Sequence, residues 1–309
     1  MTPFIKQLWR TTEEGVFVPS GNVLEASNRK KTNFLQVKAR AKEIEGLYAK
    51  AGLKMSPACG LAQMIGNAKA LADRWLCNQT DCSSMFDAFC ALHLDRIAEA
   101  ILPLRDVPGS KKYLKDLMSG ELDFFGRQPS FAKNIFWEVE LWSILRRSCP
   151  STSLKDPPDI SLQLSGGSLG VSCKKIYSEK NVEKVLSEAV GQVKAGFDVG
   201  VVAFNLDDLT PPDTILRVRN KAEMDRSLQR YTDDFLVRHE RHFRKYLASG
   251  RVVSVLVSVH VIAHVQNWNV QFNNSRSAVA WTIPGLTSEK EVLLQQFRDI
   301  AVVSHKLRG

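Results

Sequence analysis

The distribution of apolar periods along the chain predicts an α/β protein, a mixed β-sheet flanked by helices and preceded by a helical N-terminal region. Three observations carry this. Through the first third, apolar residues recur at three- and four-residue steps, as on one face of a helix. Beyond it, short runs rich in Val, Ile and Leu alternate with helical stretches. One of them, Val199-Gly-Val-Val-Ala-Phe204, is apolar on both faces, the pattern of a central strand covered by helices.

The elements follow in order. Helical periods run over 34–48, 58–76, 84–104 (stopped near Pro103) and 111–117. Lys38, Arg40, Lys42 and Lys50 hold the wet side of the first; phosphate contact is one use of that face, and a solvated face is the plainer one. Gly120, Gly126 and Pro129 interrupt the pattern, which places a boundary at 119–129 and divides the chain into a helical region, 1–122, and an α/β domain, 123–309. An apolar helix carrying acids comes next, Asn134-Ile-Phe-Trp-Glu-Val-Glu-Leu-Trp-Ser-Ile-Leu-Arg-Arg147. After the corner Asp156-Pro-Pro-Asp159, a strand at 160–164 and a strand at 169–177 are joined by Ser165-Gly-Gly-Ser168. A helix over 179–195 closes this unit, with Val182, Val185, Leu186, Ala189 and Val193 as its apolar stripe.

The strand 199–204 leads to a polar loop, 205–213, in which Asp207 and Asp208 read as turn chemistry rather than ligands. A charged helix over 221–249 carries Arg226, Arg230, Arg241 and Lys245, either a basic stripe or a salt-bridged surface. Strands at 251–265 and 277–283 follow, the first with His260 and His264 on one face. Trp268 and Phe272 between them suit base stacking or ordinary packing. A helix from 288 to 307 opens on the capping box Ser288-Glu-Lys-Glu291.

At 309 residues, 44% hydrophobic and 24% charged, the chain has the composition of one or two globular domains. No window reaches the roughly 18 apolar residues of a membrane helix, and the start lacks a signal-peptide layout; a cytoplasmic protein without a membrane partner is expected. Its six cysteines read as free thiols. The spacing of Cys77, Cys82, Cys90 and His93 matches no zinc module. A net charge of +9 and a pI near 9.3 suit a polyanionic partner, nucleic acid first.

Polar groups converge if the hairpin forms. Ser172 and Lys174 share one strand face while Cys173 points the other way. The glycine turn returns Asp159 toward the end of the second strand, and Glu188 and Gln192 stack on one flank of the closing helix. Glu138 lies on the side of its helix that carries Leu141, Trp142 and Leu145, a costly place for a lone acid. Carboxylates around a lysine make a divalent-cation site with a base or clamp beside it.

Pro158-Asp159, a twelve-residue gap and Ser172-Cys-Lys174 resemble the PD-(D/E)XK nuclease superfamily, the restriction-endonuclease-like fold. The resemblance, over roughly 130–265, implies that Asp159 binds Mg²⁺ (or Mn²⁺) and that Lys174 assists the attacking water. It implies further that Glu138, with Glu140 in reserve, and Gln192 complete the site. The departure is Ser172, where the family has an acid. Some restriction enzymes read Ser-x-Lys and supply the acid from the next helix; Glu188 stands fourteen residues after Lys174 and matches that arrangement. The implied activity is metal-dependent phosphodiester hydrolysis, in DNA rather than RNA, with Asp159, Glu188 and the Cys173 carbonyl as metal ligands. A homodimer would let such an enzyme cut both strands. The alternative is a catalytically inactive nuclease-fold module that binds nucleic acid or a protein partner.

Overall fold

The computed structural model describes residues 9–11, 17–19, 34–76, 85–124, 126–193, 196–211, 215–267 and 273–303. The chain divides into two compact units, one of residues 30–143 and the other of 1–29 together with 144–309. The division falls within a helix, downstream of the glycine- and proline-interrupted stretch.

The helical unit is built from α1 (Phe34–Lys50), α2 (Gly60–Leu76), α3 (Met85–Ile101), α4 (Lys111–Asp116) and most of α5 (Phe131–Arg146). On α1 the buried positions are Val37, Ala41, Ile44, Leu47 and Tyr48; on α2 they are Leu61, Met64, Ile65, Ala68, Leu71 and Ala72. Both sets are the stripes that the sequence period calls for. Pro103 ends α3 by passing into a 3-10 turn, Leu102–Asp106. In α5 only scattered positions reach solvent, and its side chains from Ile135 to Trp137 and Val139 to Leu145 are buried. Such a helix is apolar nearly all round and belongs inside.

The α/β unit opens with a two-stranded antiparallel ribbon, β1 (Trp9–Thr11) and β2 (Phe17–Pro19). Its main sheet has seven strands: β3 (Ser153–Leu154), β4 (Ile160–Leu164), β5 (Gly167–Lys175), β6 (Val199–Asn205), β7 (Ile215–Val218), β8 (Ser254–Val265) and β9 (Asn273–Trp281). Strands β3, β4 and β5 form an antiparallel meander, with Ile160 opposite Val171. From β5 the sheet turns parallel: β5 to β6 through α6 (Val182–Val193), then β6 to β8. Long β8 takes β6 and β7 along one edge, parallel, and β9 along the other, antiparallel. The helix α7 (Lys221–Ala248) bridges β7 and β8, and α8 (Ser288–Val303) comes last. The architecture is therefore a mixed sheet flanked by helices with a helical N-terminal region, as expected. No described helix is long and apolar enough to cross a membrane.

The core that positions the site lies between the sheet and α6 and α7. Val202 and Phe204 of β6 and Val255, Val257 and Val259 of β8 meet Leu186, Ala189 and Val193 of α6 and Phe235 and Phe243 of α7. Gly200 sets the spacing: a Cβ there would come within 2.6 Å of Val193 Cγ2, so its absence lets α6 settle directly on β6.

Candidate functional site

The Pro158-Asp159 corner is seated on β5 by a missing side chain. A Cβ on Gly170 would meet the Phe197 ring at 3.0 Å and Pro158 Cγ at 3.1 Å, so glycine lets the corner approach the strand. Asp159 is thereby buried at the start of β4, 6% exposed. Its Oδ2 accepts the Cys173 backbone N–H at 2.5 Å and lies 3.4 Å from Ser172 Oγ. The ladder between β4 and β5 ends at Ile160 and Val171, so beyond it the carboxylate takes over as the partner of β5. A strand residue projects its N–H and C=O toward the same edge, and the Cys173 carbonyl accordingly projects to the Asp159 side.

Ser172, fully buried, donates its hydroxyl to Gln192 Oε1 of α6 at 2.6 Å. The hairpin thus brings Asp159, Ser172, the Cys173 backbone and Gln192 together. Burial pushes the Asp159 carboxyl above the usual carboxylate range, against the Cys173 N–H, the Lys174 charge and the Ser172 hydroxyl, which pull it down; Asp156 adds a smaller upward push. Lys174 is half-buried on the Ser172 face, close enough for its charge to act on Asp159. Glu188 is exposed on α6, one turn before Gln192, and its side chain makes no hydrogen bond or ion pair with a described residue.

Glu138 is half-buried on α5, in the helical unit. Its reserve, Glu140, is committed within that unit. Arg96 holds it at both oxygens, Nε to Oε1 at 2.5 Å and Nη2 to Oε2 at 2.7 Å. The guanidinium carbon lies 5.3 Å and 5.2 Å from the Phe124 and Phe136 ring centroids.

A second polar cluster lies at the carboxyl ends of the parallel strands. Asp207 and Asp208 lie in a 3-10 turn, as the turn reading of 205–213 expected, and both are buried. Asp207 Oδ1 accepts the His260 N–H at 2.8 Å, while Asp208 Oδ2 pairs with Lys175 Nζ at 2.5 Å. Lys175 also donates to Asn205 Oδ1 at 2.7 Å. Strand alternation separates Lys175 from Lys174, and two adjacent acids just past the end of a buried strand are the available signal. Cys90 and His93 are buried on α3, whereas Cys77, Cys82, Trp268 and Phe272 lie outside the described residues.

Compared with protein-family models, curated proteins and solved structures, the chain finds no match. The fold itself shows the coarser likeness: a mixed sheet flanked by helices, consistent in shape with restriction-endonuclease-like proteins generally. Among the described residues, no group of three or more His, Cys, Asp or Glu side chains is placed to hold a metal ion. At the hairpin the donor set is one buried carboxylate, a serine hydroxyl turned to an amide, and main chain. That set falls short of the several anionic oxygens by which proteins usually hold Mg²⁺ without substrate.

Proposed function

We propose that the α/β unit is a nuclease-fold module that binds nucleic acid, DNA before RNA, without cutting it. The observation that carries this reading is Ser172. It occupies the position at which a nuclease of this shape would carry its second acid, and its hydroxyl is spent on Gln192. Asp159, beside it, is held toward its neutral form by burial, which weakens it as a cation ligand. The partner follows from the charge of +9, since phosphate contacts release counterions and draw a basic protein to a polyanion.

A second reading has support of its own: Asp159 holds the Cys173 N–H, strand geometry turns the Cys173 carbonyl to the same edge, and the Lys174 charge acts on Asp159. Under it, Asp159, Glu188 and that carbonyl would hold Mg²⁺ or Mn²⁺, Lys174 would serve the hydrolysis, and the protein would be an endonuclease. One experiment separates the two. Duplex DNA, single strands and RNA are incubated with the protein and Mg²⁺ or Mn²⁺, with binding followed by anisotropy and cleavage by gel. Binding without cleavage is the expected result. Cleavage that disappears in Lys174→Ala would install the nuclease in its place, and failure to bind any nucleic acid at low salt would remove the binding reading.

A further inference from the structure

One end of the helical unit gathers lysines from two segments. Lys50 ends α1 and Lys54 follows it, while Lys111, Lys112 and Lys115 lie on α4; all five are exposed. Two contacts hold the segments side by side. Tyr48 Oη, buried, donates to the Leu114 carbonyl at 3.0 Å. At the turn between Lys50 and Lys54, Lys111 Nζ reaches to 3.8 Å of where a Cβ on Gly52 would stand. Gly52 has φ 65°, so the turn itself requires a residue at ease in the left-handed region.

Four of these charges are not balanced as others in the unit are. Lys38 pairs with Asp73 at 2.6 Å, Lys69 with Glu45 at 2.9 Å, Arg40 with Glu43 at 2.9 Å, and Arg96 with Glu140. Lys50, Lys54, Lys111 and Lys115 make no ion pair with a described residue, nor do the neighbouring acids Asp106 and Asp116. Lys50 and Lys115 have a local reason to be there, since a cation suits the last turn of a helix. Lys54 and Lys111 have no such reason, and a polyanion suits the gathered charge.

We propose that this lysine end of the helical unit is a docking surface for the phosphate backbone of nucleic acid, separate from the hairpin. The proposal rests on the nucleic-acid reading above and names a surface for it. A membrane surface fits less well: the described exposed large hydrophobics, Leu35, Phe131, Tyr231, Val237 and Val292, all lie outside these segments, so no apolar wedge accompanies the charge. Ammonium groups on flexible stems contact phosphates rather than base edges, so the binding should be indifferent to sequence.

The test uses the full chain and a variant with Lys50, Lys54, Lys111 and Lys115 each changed to Gln, checked for folding by its circular-dichroism melt. Binding to a labelled DNA duplex is followed by anisotropy over a salt series. Each lost phosphate contact should reduce the slope of log K against log salt by about 0.9, while Lys174→Ala leaves most of the slope in place. If the quadruple variant does not fold, Lys111→Gln with Lys115→Gln should show half of the effect. Unchanged affinity and slope in the variant, with the unaltered chain binding duplex normally, would overturn the surface and leave the nucleic-acid reading standing. Binding to phosphatidylserine vesicles by a chain that binds neither DNA nor RNA would overturn both.

Discussion

Lys175 Nζ lies 2.5 Å from Asp208 Oδ2, and both side chains are only 3% exposed. Lys175 ends β5, Asp208 lies in the turn that follows the parallel neighbour β6, and Asn205 at the end of β6 adds a second acceptor to the ammonium group at 2.7 Å. Taking one charge away from such a pair leaves the other in a poor solvent. Lys175→Met is expected to cost about 3–5 kcal/mol, and Lys175→Met with Asp208→Leu less than that single change, as measured by urea unfolding.

Asp159 should reveal its environment through pH. Its native carboxyl keeps its proton to higher pH than the unfolded chain's, which ionises near about 3.9. The native state therefore binds more protons through that window, and the contribution of Asp159 to stability falls as pH rises from the unfolded value through the folded one. An asparagine at this position would still accept from the Cys173 N–H and has no charge to bury. The melting temperature of Asp159→Asn, relative to the unaltered chain, should rise as pH increases from about 4 to 7.

The lost acid can be put back. Ser172→Asp would set a second carboxylate beside Asp159 and remove the hydroxyl from Gln192. Without divalent ions the melting temperature should fall by about 3 °C or more, and added Mg²⁺ should recover part of the loss. A variant indifferent to Mg²⁺ would show that the hairpin cannot hold a cation even with the acid restored.

Gly200 is expected to be intolerant of one methyl group. A Cβ would meet Val193 Cγ2 at 2.6 Å, Val193 Cβ at 2.9 Å and the Arg251 carbonyl at 3.1 Å. Gly200→Ala should cost about 1–3 kcal/mol in urea unfolding, because α6 must lift from β6. Gln192 rides on the same helix, so the change should also disturb the hydrogen bond to Ser172.

Glu179 ties the start of α6 to α7 through Arg238, at 2.8 Å and 2.7 Å, and through His239 Nε2 at 2.9 Å. The Arg238 hydrogen bonds hold its carboxyl below the usual range. A lowered carboxyl stabilises the fold above its unfolded value and loses that contribution as pH falls through the folded one. With a third of its side chain exposed, Glu179→Gln should cost under about 1 kcal/mol at neutral pH, and less as pH drops below about 4 in thermal melts.

The hairpin is legible in the sequence because its signals are local. Alternation in β5 assigns Ser172 and Lys174 to one face, and the apolar stripe of α6 puts Gln192 at the edge of the sheet contact. β3 and β7 were not legible: at two and four residues, they are too short to show a period. Asp207 and Asp208 follow a strand and look like turn residues; what buries them is the pairing of β6 with β8, some fifty positions away along the chain. Glu140 had the same helical period as a ligand would, and only the position of Arg96 committed it elsewhere.

By itself, then, the sequence determined the order of the helices and longer strands, the face on which each hairpin side chain stands, and the excess of positive charge. These are consequences of period, turn chemistry and composition, all carried by neighbouring residues. The tertiary structure alone decided which polar groups meet: Ser172 with Gln192, Asp159 with the Cys173 backbone, Lys175 with Asp208, Glu140 with Arg96. Those choices depend on strand register and on where a helix settles, and both are set by packing among residues far apart in the chain.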